Sequence, residues 1–293
     1  MLTAVRLGGY VGILGVVFGA AWGGGALLGP EFTTAPAAVE QHMGSDVPLP
    51  TLTDGLSSVA QGYTLAAETT TFTANRTADL QVTVTGPSGP LTTYEPREDG
   101  AELRILVVRR DGAGFQALYP EPSGDGGWVT PLRLPSAGAW RAIAQFTPAG
   151  GTPTTLGTDL FVPGDFSPVE TAPGRSAQAD GYQVRLDGDL RAGIQSAVFA
   201  TVSRDGAGIT DLEPDRGTFG DVVALRAGDL AVVPVPAQTR AAPQDRSGPG
   251  IAFTALVPTE GVYHLYLRFR HAGAEHLVDF TVPTFGTQSG GAR

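Results

Sequence analysis

Apolar residues recur along this chain with period two, in short segments separated by Gly, Pro and Asp. Leu80, Val82 and Val84 alternate with Gln81 and Thr83; Trp140, Ala142, Ala144 and Phe146 share one face of a later segment, as do Tyr263, Leu265, Leu267 and Phe269. Such alternation predicts half-buried β-strands. One segment departs from it. In Glu102 to Pro120, ELRILVVRRDGAGFQALYP, the row Leu103, Ile105 and Val107 is interleaved with Arg104, Leu106 and Val108. That strand is expected to bury both faces, with Asp111-Gly112 supplying the positive φ of a tight hairpin turn. A degraded copy follows as Asp221 to Pro236, DVVALRAGDLAVVPVP.

Other matches recur at a nearly constant separation. Gly62-Tyr63 returns as Gly181-Tyr182, Glu95-Pro96 as Glu213-Pro214, Leu134-Pro135-Ser136-Ala137-Gly138 as Val257-Pro258-Thr259-Glu260-Gly261, and Phe161-Val162-Pro163 as Thr281-Val282-Pro283. The chain therefore reads as one β module written twice, residues 60–163 and 179–283, joined by a linker over 164–178. Each copy is expected to hold seven or eight short strands in roughly 100 residues, the description of an immunoglobulin-like sandwich. The fold class is then all-β, two tandem immunoglobulin-like β-sandwich domains after one N-terminal transmembrane helix. With Ala272-Gly273 at the tip of the last hairpin, Arg270 is expected opposite Glu275 and Phe269 opposite His276.

The transmembrane element is residues 7–28, LGGYVGILGVVFGAAWGGGALL, an uncharged stretch after Arg6 and before Gly29-Pro30. Its length suits the ~20 residues that cross a bilayer and exceeds the apolar core of about 7–15 residues usual in a cleaved signal peptide. A retained signal anchor is expected, with cleavage near Ala20-Ala21 as the alternative. Arg6 keeps residues 1–6 cytoplasmic, which makes this a single-pass cell-membrane protein with its later domains outside. Gly15, Gly19 and Gly23 would let two such helices approach as a homodimer, or merely reflect a Gly-rich composition. Residues 29–59, rich in Pro, Thr and Ser without periodicity, read as a flexible tether, and 284–293 as a disordered tail.

Composition removes several functions. A net charge of −10, with all 19 basic residues arginine, argues against nucleic acid as a partner, because phosphate neutralisation needs a basic stripe. The absence of cysteine removes disulfides, thiolate metal sites and cysteine nucleophiles. No G-x-S-x-G elbow is present: Gly86-Pro87-Ser88-Gly89 falls where the second copy has the turn Arg204-Asp205-Gly206. Leu186-Asp187-Gly188-Asp189 lacks the rest of a calcium loop. No catalytic set can be assembled, and an enzyme is not expected. Among four histidines, His264 is expected to face solvent, while His271 and His276 are the candidate metal ligands, with Asp279 and His42-Met43 as supplements.

Five blocks carry a family likeness: LRILVVRRDGAGFQALYP, WVTPLRLPSAGAWRAIAQFTPAG, LGTDLFVPGDF, DGYQVRLDGDLRAG and GDVVALRAGDLAVVPVP. In content and order they resemble a group of actinobacterial, membrane-anchored, extracytoplasmic proteins described as heavy-metal-binding or metal-associated. The resemblance implies a tandem β-sandwich outside the cell with a role in handling copper or a related soft or borderline metal. Members of that group read F-Q-H-x-H-P where this chain has Phe115-Gln116-Ala117-Leu118-Tyr119-Pro120, and H-V-H-P near Pro234-Val235-Pro236; they also place histidine at the positions of Arg104 and Asp221. Imidazoles at i and i+2 project from one face of a strand, so two such pairs on neighbouring sandwiches can converge on one cation. Here Arg104, Ala117, Tyr119, Asp221, Pro234 and Pro236 stand in those places, and the family's metal site is expected to be lost. Pro234 and Pro236 also suit an edge strand. The expected function is binding or scaffolding of a protein partner at the outer face of the membrane; the alternative is a working metal carrier using another His/Asp site.

Overall fold

The structure is a computed structural model and describes residues 54–124 and 126–284. Residues 7–28, the tether up to residue 53 and the tail beyond 284 lie outside the described residues. Among the described residues every regular element is a strand, and no helix is long and apolar enough to cross a membrane.

The first repeat contains β1 (Val59–Ala60), β2 (Tyr63–Ala67), β3 (Thr77–Gly86), β4 (Gly89–Pro90), β5 (Leu103–Arg109), β6 (Gln116–Leu118), β7 (Glu121–Gly124), β8 (Gly127–Arg133), β9 (Gly138–Phe146) and β10 (Thr154–Val162). The second contains β11 (Ser176–Ala179), β12 (Tyr182–Asp187), β13 (Gln195–Arg204), β14 (Ala207–Gly208), β15 (Gly220–Arg226), β16 (Val232–Val233), β17 (Gly250–Leu256), β18 (Val262–His271) and β19 (Ala274–Pro283). These exceed the expected seven or eight strands per copy because each repeat adds two-residue pairings at its hairpins and edges.

Each repeat is a sandwich. One sheet of the first has the order β1-β2-β3-β8-β7, with β4 also on β3, and the other is β10-β9-β5-β6. The second repeats the plan: β11-β12-β13 with β14 and β17 on β13, facing β16-β15-β18-β19. Strand β7 is the element without a counterpart. Registers match as well. Leu103 pairs with Phe146 and Arg109 with Trp140 in the first repeat; Gly220 pairs with Phe269 and Arg226 with Tyr263 in the second. Arg104 and Asp221 therefore occupy the same site in the two copies.

One sequence match is shifted in the ladders. Leu160 lies opposite Trp140 and Val282 opposite Tyr263, so Val282 corresponds to Leu160 rather than to Val162. A slip of two residues preserves which face is buried, which is why polarity alone does not reveal it.

Each sandwich has its own core. Leu80, Val82, Trp140 and Phe146 fill the first, and Val198, Tyr263, Leu267 and Phe269 the second. The last hairpin has the expected pairs Phe269 with His276 and Arg270 with Glu275; Ala272 and Gly273 at its tip take φ of 52° and 77°, as a two-residue turn requires.

All seven residues of β5 are buried, as the double apolar pattern predicts. Leu103, Ile105 and Val107 belong to the first core, whereas Leu106 and Val108 join Phe115 and Ile143 in a third cluster whose other half is Val223, Leu225, Leu230 and Tyr266 of the second repeat. The outer face of sheet β10-β9-β5-β6 thus packs on the outer face of sheet β16-β15-β18-β19. The Phe115 and Tyr266 rings stack at 4.1 Å and 8°, and the Tyr266 hydroxyl donates to Gly112 O at 2.5 Å.

Two expectations change at this seam. His264 does not face solvent: it is half-buried against the first sandwich, close enough that a Cβ on Gly112 would lie 2.7 Å from its Nε2. Its outward position, solvent-facing for an isolated sandwich, is covered by the other copy. The last six residues of the expected tether, 54–59, are also tied down through their backbone, although Leu56 and Val59 stay exposed. Gly55 and Leu56 carbonyls accept hydrogen bonds from Arg141, at 2.7 and 2.6 Å, Ser57 O accepts from Gly157 N, and Asp54 O from Val232 N across the seam. Residues 176–178 of the linker likewise join β11.

Leu106 is fully buried at the seam. Leu106→Ala is expected to lower the unfolding free energy by about 2–4 kcal/mol. Phe161→Ala, at a ring 48% exposed, should cost about 1 kcal/mol or less. Guanidinium titrations followed by fluorescence and circular dichroism measure both, and equal effects would contradict a packed seam.

Candidate functional site: the cleft between the sandwiches

At one end of the seam the two sheets part and leave a cleft of about 600 Å³. It is bounded by the loop before β5, the start of β5, the end of β9, the start of β15 and the segment after β16. Register explains its position. The outward row of β5 runs Val108, Leu106, Arg104, so its apolar part lies in the seam and its charged end emerges at the cleft; the matching row of β15 runs Leu225, Val223, Asp221.

Equivalent positions meet there. Arg104 donates to Asp221 at 2.9 Å, and each is supported by the equivalent residue of the neighbouring strand. Arg104 Nε donates to Gln145 at 3.0 Å, and Arg268 donates to Asp221 at 3.0 Å. The contact is isologous within one chain, the relation expected of two copies about a local two-fold axis. Tyr119 is clamped from the second sandwich, its hydroxyl accepting from Arg268 at 2.7 Å while the Arg216 guanidinium lies 3.4 Å from its ring centroid. Arg240 reaches across the mouth to Glu98, 2.8 Å from its carboxylate.

The charges at the floor are tightly held. Arg104 and Arg268 side chains are 9% and 6% exposed, and Asp221 is 30% exposed. Burial raises the Asp221 carboxyl, but the Arg104 and Arg268 guanidiniums outweigh it and hold the group below its ordinary 3.8. The same carboxylate, with Tyr119 and Glu275, keeps Arg268 charged against its own desolvation.

The positions picked out by resemblance fall here. Arg104, Tyr119, Asp221, Pro234 and Pro236 all line the cleft, and Ala117, on the same face as Phe115 and Tyr119, packs against the seam cluster. Two strands from different sandwiches do bring those positions together, and they carry guanidinium, carboxylate, phenol and proline. Pro234 and Pro236 also end an edge: β16 pairs with β15 only at Val232 and Val233, whereas β6 continues to Leu118, since proline has no N–H to donate.

His271 and His276 are elsewhere, on either side of Tyr182. His271 contacts the Tyr182 hydroxyl at 2.6 Å through Nδ1 and Asp211 at 3.1 Å through Nε2, so both ring nitrogens are engaged. His276 Nδ1 lies 3.0 Å from Asp180. Asp279 is paired with Tyr266 in the ladder, away from both, and His42-Met43 lies outside the described residues. No group of three or more His, Cys, Asp or Glu side chains suited to a metal occurs among the described residues.

Arg268, Arg216 and Gln145 were not legible as site residues. Arg268 and Gln145 alternate with core residues and read as solvent-facing; only the second sandwich makes that face internal.

Residues 177–286, the second sandwich, match the model of a family described as a domain of unknown function, DUF8832. No curated protein matches the chain. Among solved structures the chain is similar to the Escherichia coli adhesin FdeC, at 14% identity and a TM-score of 0.27 over 78% of this chain and 65% of that one. It is also similar to Yersinia pseudotuberculosis InvD, at 13% and 0.26 over 80% and 61%, and to the adhesin InvE of the same organism, at 12% and 0.22 over 75% and 58%. The chain spans less than two thirds of the length of each.

Because the folded Asp221 carboxyl lies below 3.8, its ion pairs contribute stability that is complete above that value and lost as pH falls through the folded value. Asp221→Asn should lower stability at neutral pH by about 2–4 kcal/mol, since two buried guanidiniums lose their shared counter-charge. It should also flatten the acid limb of the stability profile below pH ~4. Denaturant unfolding from pH 2 to 8 checks both, and an unaltered acid limb would contradict the assignment.

Proposed function

We propose that this chain is a non-enzymatic binding or scaffold protein, held at the outer face of a cell membrane by residues 7–28. Its two tandem immunoglobulin-like domains pack against each other along the seam, and recognition occurs at the cleft between them by surface complementarity. The observation that carries this reading is the meeting of Arg104, Tyr119 and Asp221 at that cleft. The positions that resemblance links to a copper site converge, but on side chains that bind each other. An arginine pair around one carboxylate repels a cation and fixes the angle between sandwiches, which suits a rigid binding surface. Both nitrogens of His271 being occupied favours this over a carrier at His271 and His276.

Calorimetric titration of the full chain in detergent with Cu(I), Cu(II) and Zn(II) should give no stoichiometric submicromolar binding; such binding would replace this reading with that of a metal carrier. A C-terminal epitope should be labelled by antibody on intact cells, and labelling only after permeabilisation would refute the topology.

A further inference from the structure

We infer that the interdomain cleft is a binding site for a small organic monocarboxylate, an apolar body carrying one anionic group. The inference rests on the reading of the cleft as a metal-free recognition site and assigns its ligand class.

The chain carries a net charge of −10, yet five of its 19 arginines line this one cleft. Four carboxylates line it too: Glu98, Asp99, Asp215 and Asp221. Glu275, which pairs with Arg268 at 3.4 Å from just outside the lining, brings the balance to five against five. Most of the acidic groups are already engaged, Asp221 by Arg104 and Arg268, Glu98 by Arg240 and Asp99 by Arg97 at 3.5 Å. Unused donors remain. Arg216 makes no hydrogen bond or ion pair among the described residues, and its guanidinium is laid flat on Tyr119 with its N–H groups uncommitted. The Nε atom of Arg268, whose side chain is 6% exposed, is buried without a hydrogen-bond acceptor.

Charge and shape narrow the ligand. One uncommitted guanidinium, that of Arg216, favours a monoanion, and Asp99 and Asp215 on the same lining oppose polyanions such as phosphate esters. Guanidinium forks match the planar carboxylate in two parallel hydrogen bonds. Beside its charges and the polar Gln145, Thr155 and Thr218, the wall includes Tyr119, Pro234 and Pro236, which offer contact to an apolar body. The volume, about 600 Å³, lies within the range of roughly 300–1,000 Å³ usual for small-molecule sites.

The test titrates the full chain in detergent with 4-phenylbutyrate, hexanoate, 4-phenylbutyramide and inorganic phosphate. Saturable binding of at least one carboxylate at one site per chain is expected, tenfold or more tighter than the amide and than phosphate. Arg216→Gln, at an exposed side chain, should weaken it at least tenfold, while the loss of its contact with the Tyr119 ring lowers the melting temperature by only about 2–4 °C. In the ¹⁵N spectrum of the unmodified chain, the amides of residues 216–222 and 235 should shift on binding. No binding of either carboxylate, equal binding of the amide, a preference for phosphate, or indifference to Arg216→Gln would overturn the inference. A null result here together with no metal binding removes the ligand and leaves the scaffold reading, whereas stoichiometric metal binding removes the reading itself.

Discussion

The structure depends on two strands that are apolar on both faces. In an isolated sandwich a central strand buries one face in the core and offers the other to water, and alternation follows. In β5 every residue is buried, and in β15 Val222 and Ala224 face one core while Val223 and Leu225 face the seam. Exposed, those second rows would form a patch spanning the middle of each sheet, and burying them against each other is strongly favoured. The two sandwiches are therefore joined at the centres of their sheets as well as through the linker.

A local two-fold axis follows from using the same face of both copies. Residues near such an axis meet their own equivalents, so a charged residue at that position would face a like charge if the copies were identical. Arg104 and Asp221 solve this by divergence, one copy contributing the cation and the other the anion. Gln145 and Arg268, equivalent to one another, then orient the pair from either side. Further from the axis the copies differ more freely. Arg141 holds the chain entering at Gly55 and Leu56, while its counterpart His264 packs on Gly112, and burial lowers the His264 imidazole despite the opposing charges of Asp279 and Asp111.

This arrangement accounts for the cleft. Apolar rows close the seam along Leu106, Val108, Ile143 and Tyr266, but where the rows turn to Arg104 and Asp221 the ion pairs need room and partial hydration, so the sheets separate. Pro234 and Pro236 keep β16 from extending over the opening. The cleft is thus a consequence of where polarity changes along two equivalent strands, and its arginine-rich lining comes from both sandwiches at once.

Period-two alternation determined the strands, and the recurrence of motifs such as Gly62-Tyr63 and Gly181-Tyr182 determined that there are two modules, because both are properties of local polarity and turn chemistry. The last hairpin's register was legible for the same reason: Ala272-Gly273 leaves one pairing that suits its neighbours. The double apolar pattern of β5 even announced that a second surface must cover it. Which surface that is, and hence whether His264, Gln145 and Arg268 meet water or protein, was decided only in three dimensions, since a strand's outward residues look alike whether they face solvent or another sheet. The contact of Arg104 with Asp221, more than a hundred residues apart, exists only once two complete cores bring their sheets together.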